Sequence, residues 1–114
     1  MPIDLTVALA HVDGDSQLLA ELAAIFLEDY PRLNTELRHS IEQGKPRELE
    51  RAAHTLKGRL AFFGMEKETN RALRLETMSR QNDLAEAQQV LADLEAEIES
   101  AMFEFDSLAK GRDA

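Results

Sequence analysis

The stretch Leu49-Glu50-Arg51-Ala52-Ala53-His54-Thr55-Leu56-Lys57-Gly58-Arg59-Leu60-Ala61-Phe62-Phe63 decides the fold. Its apolar residues Leu49, Ala53, Leu56, Leu60 and Phe63 step by four, three, four and three, the spacing that lines one face of an α-helix and turns that face toward a core. His54 stands one position off it. Residues three and four apart are neighbours on a helix surface, so Glu50, His54, Lys57, Gly58 and Ala61 form an adjoining stripe, open enough to meet a partner and close enough to the core to be held still. A glycine inside a helix costs about 1 kcal/mol relative to alanine. Close approach of another protein beside the imidazole would account for Gly58. An imidazole, a cation and a missing side chain on one exposed stripe point to a histidine that becomes phosphorylated.

The rest of the chain extends this helical reading. Ala, Leu and Glu dominate and β-branched residues are few, so no strand is expected. A short helix is predicted over Leu5 to Ala10, followed by the turn Asp13-Gly14-Asp15-Ser16, in which Asp or Ser can cap the next helix. That helix carries Leu19, Leu22, Phe26, Tyr30, Leu33, Leu37 and Ile41 inward and stops at Gly44. Pro31, inside it, predicts one bent helix rather than two. The His54 helix begins near Pro46, a residue suited to a first helical turn, and ends near Gly64. A further helix from about Lys67 to Gln81 turns Ala72, Leu75 and Met78 inward, with Leu73, Glu76 and Arg80 on a neighbouring stripe. The last, from Leu84 through Leu91, Leu94, Ile98, Ala101 and Phe105 to Leu108, is expected to be the longest at roughly 40 Å, and the chain to fray from Lys110 onward. The fold class is therefore all-α: an antiparallel up-and-down four-helix bundle with a short additional N-terminal helix, a single domain over residues 1–114. A monomer is expected.

The absence of cysteine excludes disulfides, thiolate metal sites and cysteine nucleophiles. No apolar run is long enough to span a membrane and no signal pattern is present, so the expected setting is the cytoplasm, without membrane contact by this segment. The net charge of -9 argues against a nucleic-acid partner. Its distribution is uneven: residues 45–80 carry nine of the thirteen basic residues against five acidic ones, a segment at +4 on a body at -13. Such a basic island around His54 suits steering toward a partner with an acidic site or a phosphoryl group. His11 and His39 lie in no ligand motif and are read as bystanders.

Ala53, His54, Leu56-Lys57-Gly58, Gly64 and Leu75-Glu76, with Leu18-Leu19 through Phe26-Leu27 to Tyr30-Pro31 ahead of them, resemble the histidine-containing phosphotransfer (HPt) domain of two-component phosphorelays over nearly the whole chain. Arg59 and Phe62 depart from the small or polar residues that commonly follow the Lys-Gly pair. The resemblance implies that His54 accepts a phosphoryl group from the aspartyl phosphate of a response-regulator receiver domain, or from a histidine kinase or hybrid kinase, and relays it to another receiver aspartate.

On that reading the attacking nitrogen must be unprotonated, and an exposed imidazole, with an ordinary pKa of about 6.5, is largely neutral at cellular pH. If Glu76 accepts a hydrogen bond from Nδ1, Nε2 is left free to attack; alternatively Glu76 is an exposed carboxylate pairing with Arg80 at four-residue spacing. Lys57 would offset phosphoryl charge, and Gly58 would let the receiver approach. Arg51, Arg59, Ala61 and Arg80 are assigned to partner docking. Arg51 and Arg80 are further candidates for offsetting phosphoryl charge, and Arg59 either reshapes the docking surface or binds the phosphoryl group. No cofactor or metal is expected on this chain, the Mg2+ belonging to the receiver. The chain is expected to be a phosphocarrier, not an enzyme, and to lack autokinase activity, since it has no nucleotide-binding motif. It can be read as a freestanding protein or as a segment of a larger hybrid sensor kinase. The competing reading is a helical bundle that docks a receiver or kinase without accepting phosphate.

Overall fold

Six helices and no strand make up residues 2–111, the part of the chain that the computed structural model describes: α1 (Leu5–His11), α2 (Ser16–Glu42), α3 (Pro46–Phe62), α4 (Glu66–Arg80), α5 (Ala87–Ser100) and α6 (Met102–Ala109). The expected starts follow from local chemistry. Asp4 and Asp15 cap α1 and α2 by accepting from the Val7 and Leu18 backbone N–H groups at 3.2 and 3.0 Å. Pro46 opens α3. The longest helix is α2, with 27 residues. It continues through Pro31 as one element, and at 1.5 Å per residue it spans about 40 Å, the long dimension of the molecule.

The last expected helix is the main correction. Its length is divided between α5 and α6, and Leu84 lies in the connection before α5. At the break, Ser100 Oγ donates to the Glu97 carbonyl at 2.7 Å, the acceptor a continuous helix would offer the Ala101 N–H, which turns instead to Ile98 O at 2.9 Å. The apolar stripe survives the break, because Ile98, Ala101, Phe105 and Leu108 are all buried. At the far end, Lys110 and Gly111 form a turn, and the rest of the stretch expected to fray, residues 112–114, lies outside the described residues.

One apolar cluster draws on every helix. Leu49, Ala53, Leu56 and Leu60 of α3 are fully buried and Phe63 nearly so, as the spacing predicts; each large side chain so placed contributes about 1.5–3 kcal/mol. Phe26 of α2 stacks on Phe105 of α6 with ring centroids 4.2 Å apart, and Phe63 meets both edge-on. α3 packs along α4 and α2, α4 along α5, and α6 on α2.

α1 clasps the C-terminal end of α3. The Asp4 N–H donates to Phe63 O at 3.0 Å, and His11 Nδ1 lies 2.9 Å from Phe62 O, so carbonyls that a helix end leaves without partners are satisfied. Gly64 makes this fit possible. It takes φ +68°, and a Cβ there would lie 2.6 Å from Asp4 Cβ, so both backbone conformation and space demand glycine.

Candidate functional site

His54 projects from α3 with its side chain 67% exposed, while the carboxylate that holds it, Glu76 of α4, is 2% exposed. The sequence reading put Glu76 on a stripe beside the core; the packing of α3 against α4 buries it. Its oxygens are fully employed. Oε2 lies 2.8 Å from His54 Nδ1 and accepts from Arg80 at 2.7 Å, while Oε1 accepts from Lys57 Nζ at 2.6 Å. Glu76 thus partners both the imidazole and Arg80, but as a buried carboxylate and not the exposed one of the alternative reading.

Burial alone would raise the Glu76 pKa, but the hydrogen bonds from Lys57 and His54 and the charges of Lys57 and Arg80 outweigh it and hold the carboxyl below the ordinary glutamate value. An ionised carboxylate only accepts, so Nδ1 carries the proton and donates it, and in the neutral ring Nε2 keeps its lone pair. That nitrogen belongs to a side chain open to solvent. Lys57 is tied to Glu76 rather than standing as a free cation. Arg80 reaches further, its Nε donating to Glu50 Oε2 at 2.9 Å.

Gly58 is helical and exposed, and a Cβ added there would meet nothing within 4 Å. Nothing in the surrounding packing requires a glycine at this position.

The imidazole stands on a ridge between two depressions. On one side an apolar groove between α2 and α3 is lined by Leu22, Ile25, Gly58 and Phe62, with Ile25 53% exposed. On the other, a cleft is lined by Arg47, Glu50, Arg51, Glu76 and Arg80. The basic island is largely compensated: Lys57, Arg59, Lys67, Arg71, Arg74 and Arg80 pair with carboxylates. Arg47 and Arg51, beside His54, have no ion pair among the described residues.

Of the residues singled out from sequence, the fold brings His54, Lys57, Glu76 and Arg80 into one network and leaves Arg51 at its edge. Arg59 is turned the other way, to Asp29 of α2. Its hydrogen bond is the largest effect on Asp29 and, with the charges of Arg59 and Arg32, outweighs burial and holds the carboxyl below the ordinary carboxylate value. It borders the apolar groove. Ala61 is exposed on α3 and outside the network. His39 is exposed on α2, but His11 is no bystander to the fold: besides its bond to α3 it stacks on Phe62 at 4.9 Å, fixing a side chain of the groove.

Sequence reasoning missed Glu50 as the partner of Arg80, and it missed the groove. A signal for the groove exists in Leu18, Leu22 and Ile25, a second apolar stripe on α2 at four and three spacing, whose Leu18 and Ile25 remain exposed. Among the described residues no group of three or more His, Asp or Glu side chains is placed to hold a metal ion, and no helix is long and apolar enough to cross a membrane.

No curated protein and no solved structure matches the chain. The sequence model of one family, the Hpt domain, matches residues 21–108, from within α2 to the last turn of α6 and across the whole His54 network. The chain belongs to the Hpt domain family, the histidine phosphotransfer domains of two-component phosphorelays.

Proposed function

We propose that His54 is the phosphoacceptor and that the chain carries a phosphoryl group between receiver-domain aspartates, or from a histidine kinase to a receiver. The observation that carries this reading is the pairing of an exposed imidazole with a buried, ionised carboxylate on Nδ1. In the step, Nε2 attacks the phosphorus of the receiver's aspartyl phosphate, the Nε2–P bond forms, the P–O bond breaks and the aspartate carboxylate leaves. Glu76 holds the ring and its tautomer. Its bond to Nδ1–H strengthens as the ring gains positive character during attack. Lys57 and Arg80 neutralise Glu76 beforehand and lie beside the incoming charge.

The receiver docks over the ridge, with apolar surface on the Leu22–Ile25–Phe62 side and its acidic, Mg2+-bearing site toward Arg47 and Arg51. Gly58 permits the close approach. The helices are read as an antiparallel up-and-down bundle of four, the fourth made of α5 and α6, because turns of three residues join α2 to α3 and α3 to α4. The chain acts as a monomeric phosphocarrier in the cytoplasm, without cofactor or autokinase activity of its own.

Incubation with a phosphorylated receiver domain tests the reading. Wild type should be labelled and His54→Gln should not, and neither should label with ATP alone. Binding of the receiver without label on wild type would favour a docking scaffold and refute the proposal.

A further inference from the structure

One guanidinium at the site serves two carboxylates. Arg80 of α4 donates Nε–H to Glu50 of α3 at 2.9 Å and a terminal N–H to Glu76 Oε2 at 2.7 Å, the same oxygen that holds the imidazole. The charged groups facing this spot are Arg47, Glu50, Arg51 and Lys57 on α3 and Glu76 and Arg80 on α4. With the ring neutral, Lys57 and Arg80 pair with Glu76 and Glu50, while Arg47 and Arg51 have no ion pair among the described residues.

A phosphoryl group on Nε2 adds up to about two negative charges beside these pairs and draws on their cations as well as on Arg47 and Arg51. The two paired cations are not equally free to respond. Among the described residues Lys57 is bound only to buried Glu76, which must stay in place to hold Nδ1, and its side chain is 24% exposed. Arg80 is 54% exposed, and one of its two partners, Glu50, makes no hydrogen bond to the imidazole among the described residues.

We propose that Glu50 is a positioning residue: it parks Arg80 beside unmodified His54 and yields it to the phosphoryl oxygens once the histidine is phosphorylated, thereby setting how firmly the phosphoryl group is held. The proposal rests on the phosphotransfer reading above. It assigns Glu50 a part in the site through Arg80 alone.

The test uses the full chain and phosphoramidate, a small donor that needs no docking surface: the donor's P–N bond breaks and ammonia leaves as the Nε2–P bond forms. A 31P NMR titration then reads the proton affinity of the bound phosphoryl group in wild type, E50Q, R80Q and the double variant. E50Q should lower that affinity about two- to fivefold, the range corresponding to an exposed ion pair, and should have no effect once R80Q is present. An equal fall in both backgrounds would show Glu50 acting by its own charge, and no fall in E50Q would show no restraint; either overturns the proposal. A wild type that takes no phosphoryl group at all defeats the phosphotransfer reading and this role with it, an outcome distinct from a labelled protein with unchanged affinity.

Discussion

Replacing Gly58 with alanine should make the protein more stable and less active. The residue is helical and exposed, and an added methyl group meets nothing within 4 Å, so no clash offsets the gain in helix propensity of about 1 kcal/mol. For a chain of 114 residues that corresponds to a rise in Tm of about 3–6 °C, measurable by circular dichroism, with an unchanged urea m-value showing that the gain lies in stability alone. Transfer from a phosphorylated receiver should move the opposite way. A methyl group forced into a close-packed interface costs about 1–3 kcal/mol, so the rate at sub-saturating receiver should fall about tenfold. Labelling by phosphoramidate, which needs no docked partner, should be unchanged. A less stable variant would show that the fold itself needs the glycine. A more stable variant with undiminished transfer from the receiver would refute close approach as the reason for Gly58.

The opposite result is expected at Gly64, where left-handed backbone and the Asp4 side chain leave no room: Gly64→Ala should lower stability by about 2 kcal/mol or more in urea unfolding, and a neutral effect would contradict the α1–α3 fit. Glu76→Gln should change the pH dependence of stability. The folded-state pKa of Glu76 is depressed, so its ionised form stabilises the fold above the ordinary glutamate range and that contribution disappears as pH falls through the depressed value. The Tm gap between wild type and variant should therefore narrow below about pH 4.5, and a gap constant from pH 7 to 3 would rule this out. Ser100→Ala should return the Glu97 carbonyl to the Ala101 N–H and stabilise the protein by about 0.5 kcal/mol; hydrogen exchange at the Ala101 amide should slow, and an unchanged rate would mean the hydroxyl is not what breaks the helix.

What the sequence discloses and what it conceals divide by distance along the chain. The His54 helix, its buried face and its glycine could be read because each depends on residues three and four apart. The pairing of Glu50 with Arg80, thirty residues on, depends on how α3 lies against α4, and no local pattern encodes it. Arg59 is similar: its side chain faces α2 because Asp29 is there, so its position beside Gly58 in sequence says little about which flank it serves. The break at Ala101 was hidden for another reason. The apolar spacing runs through it without a fault, and what accompanies the break is a single hydroxyl on the carbonyl that the Ala101 N–H would otherwise use. Glu76 was identified by likeness to a family, but its burial, which makes three hydrogen-bond donors necessary rather than incidental, emerges only from packing.

The clasp of α1 on α3 bears on where this domain can be cut. The family match opens at residue 21, and a fragment begun there would lack the Asp4 amide and the His11 ring that bond to Phe63 and Phe62, together with the aromatic surface against which Phe62 rests. Such a fragment could keep all of His54, Lys57, Glu76 and Arg80 and still present an altered face to a receiver, because the wall of the groove would have lost its backing.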